Sequence, residues 1–470
     1  MTVSSPRARG VRLRAGERRL ILVAGDVLSA VAGAAVALSL WGRFDYLGPT
    51  AEFIRVRAVW FMFLPLLWPL FMVNLYDVHR AGSWRDTVRG VFLAVAAGAI
   101  LYLLLYFVQG GSLARRGILY FLAATLVFTL LWRAIYIRVF TAPALMRRVL
   151  IVGAGLGGRT LLQIYNAAWP KPFLMVGLID DDPEKRFEKV DVFAVLGGSG
   201  ELPKIIAEAG ATDLIVAIQG QMTGAMFQSL LEAQEQGVEI TRLPVAYEDL
   251  LGRLPIQHLE ADWLLRSFVD ELRVSGLYLL AKRLLDLAGA VFGLAIFALL
   301  LPWVAAAILL DSGRPIFFRQ ARLGQGGRPY RMIKLRTMRQ DAEADGQPHW
   351  AASVDPRATR VGRILRRTHL DEFPQFWSVV RGDMSLVGPR PERPELVAEL
   401  EKQIPFYRAR LLAKPGITGW AQVNYGKGAS VEGSAEKLEF DLYYIKHRNL
   451  WMDLWILVRT VGSVFRFKGV

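Results

Sequence analysis

Four apolar runs of about 20 residues crowd into the first third of the chain, at 20–41, 58–76, 88–109 and 117–140. A helix of that length covers about 30 Å of hydrocarbon. Residues 1–145 therefore read as a four-helix transmembrane domain. The first run is too long for a cleaved signal peptide, and no small-residue cleavage site leads from it into a soluble domain. Asp26 lies inside it, and Pro65 and Pro69 lie inside the second. Intramembrane acids are often functional; the plainer expectation sets Asp26 near the interface, paired with an Arg of the leading tail. Arg placement sets the orientation. Six Arg between Arg7 and Arg19, then Arg80, Arg85 and Arg89, then Arg147 and Arg148, favour both ends of this block on the cytoplasmic side.

Composition narrows the class. Of 470 residues 53% are hydrophobic, yet Lys+Arg number 57 against 42 Asp+Glu, a formal charge of +15. That is too apolar for a disordered tail or a soluble nucleic-acid binder, and no nucleic-acid partner is expected. Positive charge on so apolar a chain suits anionic lipid or phosphate ligands. The absence of cysteine excludes disulfides, Cys-ligated zinc, iron–sulfur clusters and a thiol nucleophile.

Residues 146–270 read as a Rossmann-like α/β domain. A strand at 148–152 runs into Gly153-Ala154-Gly155-Leu156-Gly157-Gly158, and a helical pattern covers 159–166. Gly153, Gly155 and Gly158 fit a tight turn that brings a helix N-terminus to a phosphate. A second strand, 174–179, ends in three acids, of which Asp180 suits a ribose hydroxyl. Further strands are expected at 213–218 and 238–243, alternating with helices as in a parallel sheet. The fingerprint lacks a following Tyr/Lys catalytic pair, so a degenerate scaffold stands beside a nucleotide site.

Residues 271–470 hold the candidate chemistry, in an α-rich (α+β) domain. A fifth apolar run, 284–310, is long enough to span, but basic clusters flank it on both sides: Lys282 and Arg283 before, Arg314, Arg319 and Arg322 after. A true span would translocate one of them, and Pro302 interrupts the helical ladder. A helix–break–helix hairpin that enters one leaflet and returns is expected; an ordinary fifth span is the alternative. Beyond it come Lys334-Leu335-Arg336-Thr337-Met338, Asp371-Glu372 before Pro374-Gln375, Gly388-Pro389-Arg390-Pro391, Lys414-Pro415-Gly416-Ile417-Thr418-Gly419, and Asp441-Leu442-Tyr443-Tyr444. Lys and Arg at this density suit a diphosphate substrate, and adjacent carboxylates suit a metal and a nucleophile. Asp-Glu pairs also open ordinary helices, where they favour the macrodipole. The aromatic and basic residues between Trp451 and Lys468 read either as an interfacial amphipathic segment or as a packed helix.

These motifs, with Lys282-Arg283-x-x-Asp286 before the hairpin, carry a resemblance. From about residue 279 the chain resembles the bacterial sugar-transferase domain of monotopic phosphoglycosyl transferases. Over nearly its full length it is similar to the large members of that family, the polyprenyl-phosphate hexose-1-phosphate transferases that begin exopolysaccharide, capsule or O-antigen units. The resemblance implies transfer of hexose 1-phosphate, glucose or galactose, from UDP-hexose to undecaprenyl phosphate with release of UMP. It implies a bacterial inner membrane location, with the catalytic domain facing the cytoplasm. It makes Asp371 the nucleophile of a phosphosugar–enzyme intermediate and Glu372 its partner, with Mg2+ as cofactor on these two acids. Lys334, Arg336 and Arg390 become phosphate-binding residues, and Lys427 a candidate only, because Tyr425-Gly426-Lys427 departs from the Gly-Arg of some members. Asp441, Lys282, Arg283, Asp286 and Pro302 match further functional positions. A homodimer is left open. Two other classes are weighed: a membrane-anchored nucleotide-sugar oxidoreductase or dehydratase, and a non-enzymatic scaffold for polysaccharide assembly.

Overall fold

A computed structural model describes residues 15–45, 50–76, 81–108, 115–140, 146–169, 171–256, 275–339, 356–425 and 430–464. The chain divides into two compact units, Met1–Asp249 and Leu250–Val470.

The first unit opens with four helices, α1 (Ala15–Asp45), α2 (Ala51–Phe71), α3 (Trp84–Val108) and α4 (Arg115–Phe140). By length and hydropathy α1, α3 and α4 can each cross a membrane. Helix α2 stops at Phe71, five residues before the expected end, and a 3-10 turn covers Val73–Tyr76. Among the described residues Asp26 pairs with Arg133, not with an arginine of the tail. Its carboxylate accepts from Arg133 Nη2 at 2.6 Å and Nε at 3.2 Å, and both side chains are fully buried between α1 and α4. A third donor of Arg133 reaches the Leu75 carbonyl at 3.0 Å. Two charges within apolar surroundings are tolerated only as a hydrogen-bonded pair, and the arginine comes from a neighbouring helix at the same depth.

The α/β part follows: β1 (Arg148–Val152), α5 (Leu156–Ala167), β2 (Leu174–Ile179), β3 (Lys189–Val190), β4 (Phe193–Gly197), α6 (Leu202–Ala209), β5 (Asp213–Val216), α7 (Gly224–Glu235), β6 (Glu239–Arg242) and α8 (Leu243–Leu251). The sheet order is β3-β4-β2-β1-β5-β6, parallel except for the β3–β4 edge. Leu150, Val152, Ile179, Leu214 and Val216 pack with Leu202, Met226 and Leu230 of the helices. Because parallel strands are covered on both faces, they read as continuous apolar runs. Leu254 and Ile256 belong to the core of the second unit.

In the second unit, α9 (Gly276–Ser312) precedes the hairpin β7 (Phe317–Leu323) and β8 (Pro329–Leu335). Then come α10 (Arg360–Thr368), α11 (Gln375–Arg381), β9 (Ser385–Val387), α12 (Pro394–Gln403), β10 (Gly416–Thr418), α13 (Trp420–Asn424), α14 (Val431–His447) and α15 (Leu450–Val464). Pro302 does not end the helix: α9 continues through it for 37 residues in all. Proline removes a single N–H from the ladder, and the remaining bonds carry the helix across it. One face of α9 lies along the unit. A Cβ at Gly289 would come within 2.5 Å of Leu386, and one at Gly293 within 2.5 Å of Phe376. Further along, Ile308 packs with Leu335 and Leu365. The opposite face leaves Val291, Phe292, Leu299, Trp303 and Leu310 exposed.

Candidate active site

The Lys282-Arg283-x-x-Asp286 motif fastens α9 to the unit rather than lining a site. Lys282 Nζ reaches Asp453 at 3.0 Å and the Val387 carbonyl at 3.1 Å. Arg283 caps α11 through the Val379 and Val380 carbonyls, both at 2.8 Å. Asp286 accepts from Ser385 Oγ and the Leu386 amide, both at 2.9 Å. Arg336 is placed in the same way, against expectation. It is buried, and its guanidinium holds the carbonyls of Ser312, Gly313 and Arg314 at 2.5–2.7 Å, the unmet acceptors at the end of α9. Its terminal nitrogens are committed to backbone, so here Arg336 anchors the end of α9.

Two glycine motifs build the floor of the site by crossing each other. Strands β9 and β10 pair in parallel. A Cβ on Gly388 would stand 2.2 Å from the Lys414 carbonyl, and one on Gly416 would stand 2.1 Å from the Gly388 amide. Only glycine permits that approach, and it presents Arg390 on the turn that follows.

The acid pair comes from a sharp corner. Helix α10 starts at Thr359, whose hydroxyl accepts from the Gly362 amide at 2.9 Å. It ends at His369, in the left-handed region at φ 56°. The chain then makes one 3-10 turn, Leu370–Glu372, before α11. Glu372 Oε1 accepts from Lys334 Nζ and from Arg390 Nη2, each at 2.7 Å. Burial alone would push this carboxyl up; Arg390 and Lys334 outweigh it and hold Glu372 well below the usual range. In return Glu372 raises Arg390. Asp371 differs from its neighbour. It is 8% exposed and makes no hydrogen bond among the described residues. Burial, and then the charge on Glu372, push its carboxyl up to about 6, against the pull of Lys334, Arg390 and Arg366. The arrangement supplies one carboxylate free to attack, beside a second that orients two cations. The Arg390 side chain stays 46% exposed, open to an incoming anion.

Behind Arg390 lies a residue the sequence reading missed. Arg410 is buried; it donates to the Arg390 carbonyl at 3.0 Å, to Asp441 Oδ2 at 2.8 Å and to the Tyr407 hydroxyl at 2.7 Å. Asp441 is thus a support to the turn that bears Arg390, and burial pushes its carboxyl up to about 6. Arg410 lies outside the quoted motifs, and no spacing signal distinguishes it from the surface arginines near it.

Elsewhere, Lys427 lies outside the described residues, as do 465–470 of the expected interfacial tail. Helix α15 buries Asp453 and Ile456 against the unit while Trp451 and Leu454 stay exposed. Asp180 is tied to the glycine turn: its carboxylate accepts from the Ala154 amide at 2.7 Å and the Asp182 amide at 3.0 Å. Gly153 takes φ 108°, and a Cβ on Gly158 would lie 2.1 Å from the Gly153 carbonyl, whereas the space around Gly155 is open. Among the described residues no three His or acidic groups converge as a metal cage. Asp371 and Glu372 offer two carboxylates, a set that suits Mg2+ only when substrate phosphates complete the shell.

Comparison with known proteins yields two family-model matches. Residues 277–467 match the model described as bacterial sugar transferase, and residues 72–244 match a CoA-binding domain. A UDP-N-acetylgalactosamine-undecaprenyl-phosphate N-acetylgalactosaminephosphotransferase of Aeromonas hydrophila is 41% identical over 222 residues, 47% of this chain and 51% of that protein. A UDP-glucose:undecaprenyl-phosphate glucose-1-phosphate transferase of Caulobacter vibrioides is 47% identical over 189 residues, 39% of this chain and 70% of that protein. One of the same description from Klebsiella pneumoniae is 30% identical over 328 residues, 69% of this chain and 68% of that protein. The chain spans about half the length of the first of these relatives.

Proposed function

The chain belongs to the bacterial sugar transferase family, and from that premise we propose that it transfers hexose 1-phosphate from UDP-hexose to undecaprenyl phosphate and releases UMP. The observation that carries this reading is the division of labour in the acid pair: Glu372 is clamped by Lys334 and Arg390, while the Asp371 side chain is buried and makes no hydrogen bond among the described residues. A carboxylate oxygen of Asp371 attacks the sugar-bearing phosphorus, and the bond from that phosphorus to the bridging oxygen breaks, so UMP leaves. A phosphate oxygen of the polyprenyl acceptor then attacks the same phosphorus, and the Asp371 oxygen–phosphorus bond breaks. Each step brings two anions together. Lys334 and Arg390 offset that charge from opposite elements, within reach of phosphate oxygens. Mg2+, held by Asp371, Glu372 and the donor's diphosphate, would supply further charge neutralisation.

The membrane setting supports the same reading. Helix α9 exposes an apolar face, yet polar anchors near both of its ends, Arg283 and Arg336, bind it to one unit. A perpendicular span would draw the arginines of α10 into hydrocarbon at a cost of several kcal/mol. Seating α9 in one leaflet of the inner membrane, with the unit on the cytoplasmic side, avoids that cost and sets Asp371 near the headgroup plane. Glucose and galactose are the leading sugars, and the Aeromonas relative adds N-acetylgalactosamine to any panel. Purified enzyme given a UDP-sugar, Mg2+ and undecaprenyl phosphate should release UMP; release of UDP excludes phosphosugar transfer.

A further inference from the structure

Helix α10 is short and crowded with arginine, and its two sides do different things. The inner side is fixed to the end of α9. The Val361 amide donates to Asp311 Oδ2 at 3.0 Å, and Leu365 packs with Ile308 and Leu335. A Cβ on Gly362 would meet the Thr337 carbonyl at 2.0 Å. The outer side holds Arg360, Arg363, Ile364 and Arg367, all exposed. Their spacing, i, i+3, i+4 and i+7, is that of one helix face. None of these three arginines has an ion-pair or hydrogen-bond partner for its side chain among the described residues. Asp311 lies close enough to act on Arg360 and Arg363, but it sets one charge against three and already accepts the Val361 amide.

An uncompensated cationic face attracts anions, and its neighbours indicate which. Leu310, 90% exposed, adjoins Asp311, so the apolar outer side of α9 reaches the start of α10. A bilayer presents the same sequence of chemistry, hydrocarbon and then phosphate. Guanidinium forks match phosphate oxygens, and basic clusters beside a membrane-seated helix gain from anionic lipid. Ile364 stands in the middle of the row, 62% exposed, and supplies the apolar contact that an interfacial face uses. A soluble polyanion would match the charge but leave the adjoining apolar surface uncovered.

Resting on the seating of α9 in one leaflet, we infer that the face formed by Arg360, Arg363 and Arg367 docks on the headgroups of anionic phospholipids. Their phosphodiesters take the three guanidiniums, and Ile364 enters between them. The same contact sets the height of the acid pair. Helix α10 is capped by His369, and the next turn carries Asp371, so a face held in the headgroup layer holds Asp371 close above it.

The chain has no cysteine, so Ile364→Cys in the full-length enzyme takes a single environment-sensitive fluorophore. The labelled enzyme is reconstituted in vesicles of phosphatidylcholine alone, or of equal parts phosphatidylcholine and phosphatidylglycerol, with a nitroxide quencher on a trace lipid headgroup. Quenching should be strong with phosphatidylglycerol and weak without it. Each arginine should favour an anionic surface about fivefold. Adding Arg360→Gln, Arg363→Gln and Arg367→Gln together should therefore abolish the phosphatidylglycerol-dependent quenching, whereas Lys at the same three positions should keep most of it. High salt should weaken it in the labelled parent, and that result decides if the Gln variant does not fold. Leu299→Cys, exposed on α9, tests the seating of that helix separately, with the nitroxide deep in the acyl chains. A label at 364 that stays unquenched while the one at 299 is quenched overturns the inference and spares the seating. Equal quenching in both vesicles, or quenching that survives loss of the three arginines, also overturns it. Charge-dependent quenching at 364 with none at 299 sinks the seating and leaves the headgroup contact standing. No readout here depends on transfer, so UMP release in the same vesicles judges the transferase reading by itself.

Discussion

Asp180 and Asp371 look alike in the sequence: each is the first acid of an acidic run, placed near a glycine motif and basic residues. Their surroundings could hardly differ more. Asp180 spends both oxygens on nearby amides, Ala154 and Asp182, with Lys185 beside it at 3.4 Å. Asp371 has no such partner among the described residues, and the cations around it arrive from remote elements, Lys334 from a hairpin and Arg390 from a turn, both held by Glu372. A carboxylate satisfied by its local backbone serves the fold. One kept dry, unsatisfied and ringed by side-chain cations is available for chemistry.

That contrast breaks most sharply at Asp371. Asp371→Asn should lower kcat by at least about a thousandfold and abolish labelling of the protein by sugar phosphate; near-normal turnover would make Asp371 another structural acid. Next in size are Lys334→Ala and Arg390→Ala, each expected to cost about a hundredfold in kcat/KM. Both should also move the acid limb of the pH profile. Asp371 attacks as the carboxylate, and its carboxyl lies at about 6, so activity should fall as pH drops through 6. Removing either cation deletes a group that holds this carboxyl down, so the limb should shift to higher pH. A shift to lower pH would contradict the electrostatic account.

Arg410→Lys comes third. It keeps the charge but loses the fork that spans Asp441 and the Arg390 carbonyl, and should cost about tenfold in kcat/KM. The loss should fall on binding of the donor more than on the pH limb. Asp180→Ala should have the smallest effect on turnover, within twofold, while its lost hydrogen bonds lower the stability of the sheet domain by about 1–2 kcal/mol, read as an earlier thermal transition. A large loss of turnover there would erase the contrast between the two acids.

What was legible in the sequence follows the same division. The strands at 148–152 and 174–179 appear at their expected bounds, because buried parallel strands print continuous apolar runs. Strand β4 was not foreseen; unlike β1, Phe193–Gly197 is only partly buried and ends in glycine, so it carries a weaker apolar run. Asp371, Glu372, Lys334 and Arg390 converge because their motifs each sit at a corner or strand end. Arg336 stands two residues after Lys334, just past the end of β8, and motif membership does not show that its guanidinium is taken up by the carbonyls at the end of α9. Asp26 was assigned the wrong arginine because helix pairing inside a bundle, which brings Arg133 107 residues along the chain to meet it, is not printed locally. Pro302 was read as a break because a proline's cost is local, and the sequence does not show the packing of α9 that carries the helix through it.

The central claim is covalent. Enzyme mixed with UDP-hexose and Mg2+ in the absence of lipid acceptor, quenched and measured by intact-protein and peptide mass spectrometry, should gain one hexose phosphate on the peptide bearing Asp371. The adduct should disappear when undecaprenyl phosphate is added. Product formation from enzyme that never shows this mass on Asp371 would contradict the account.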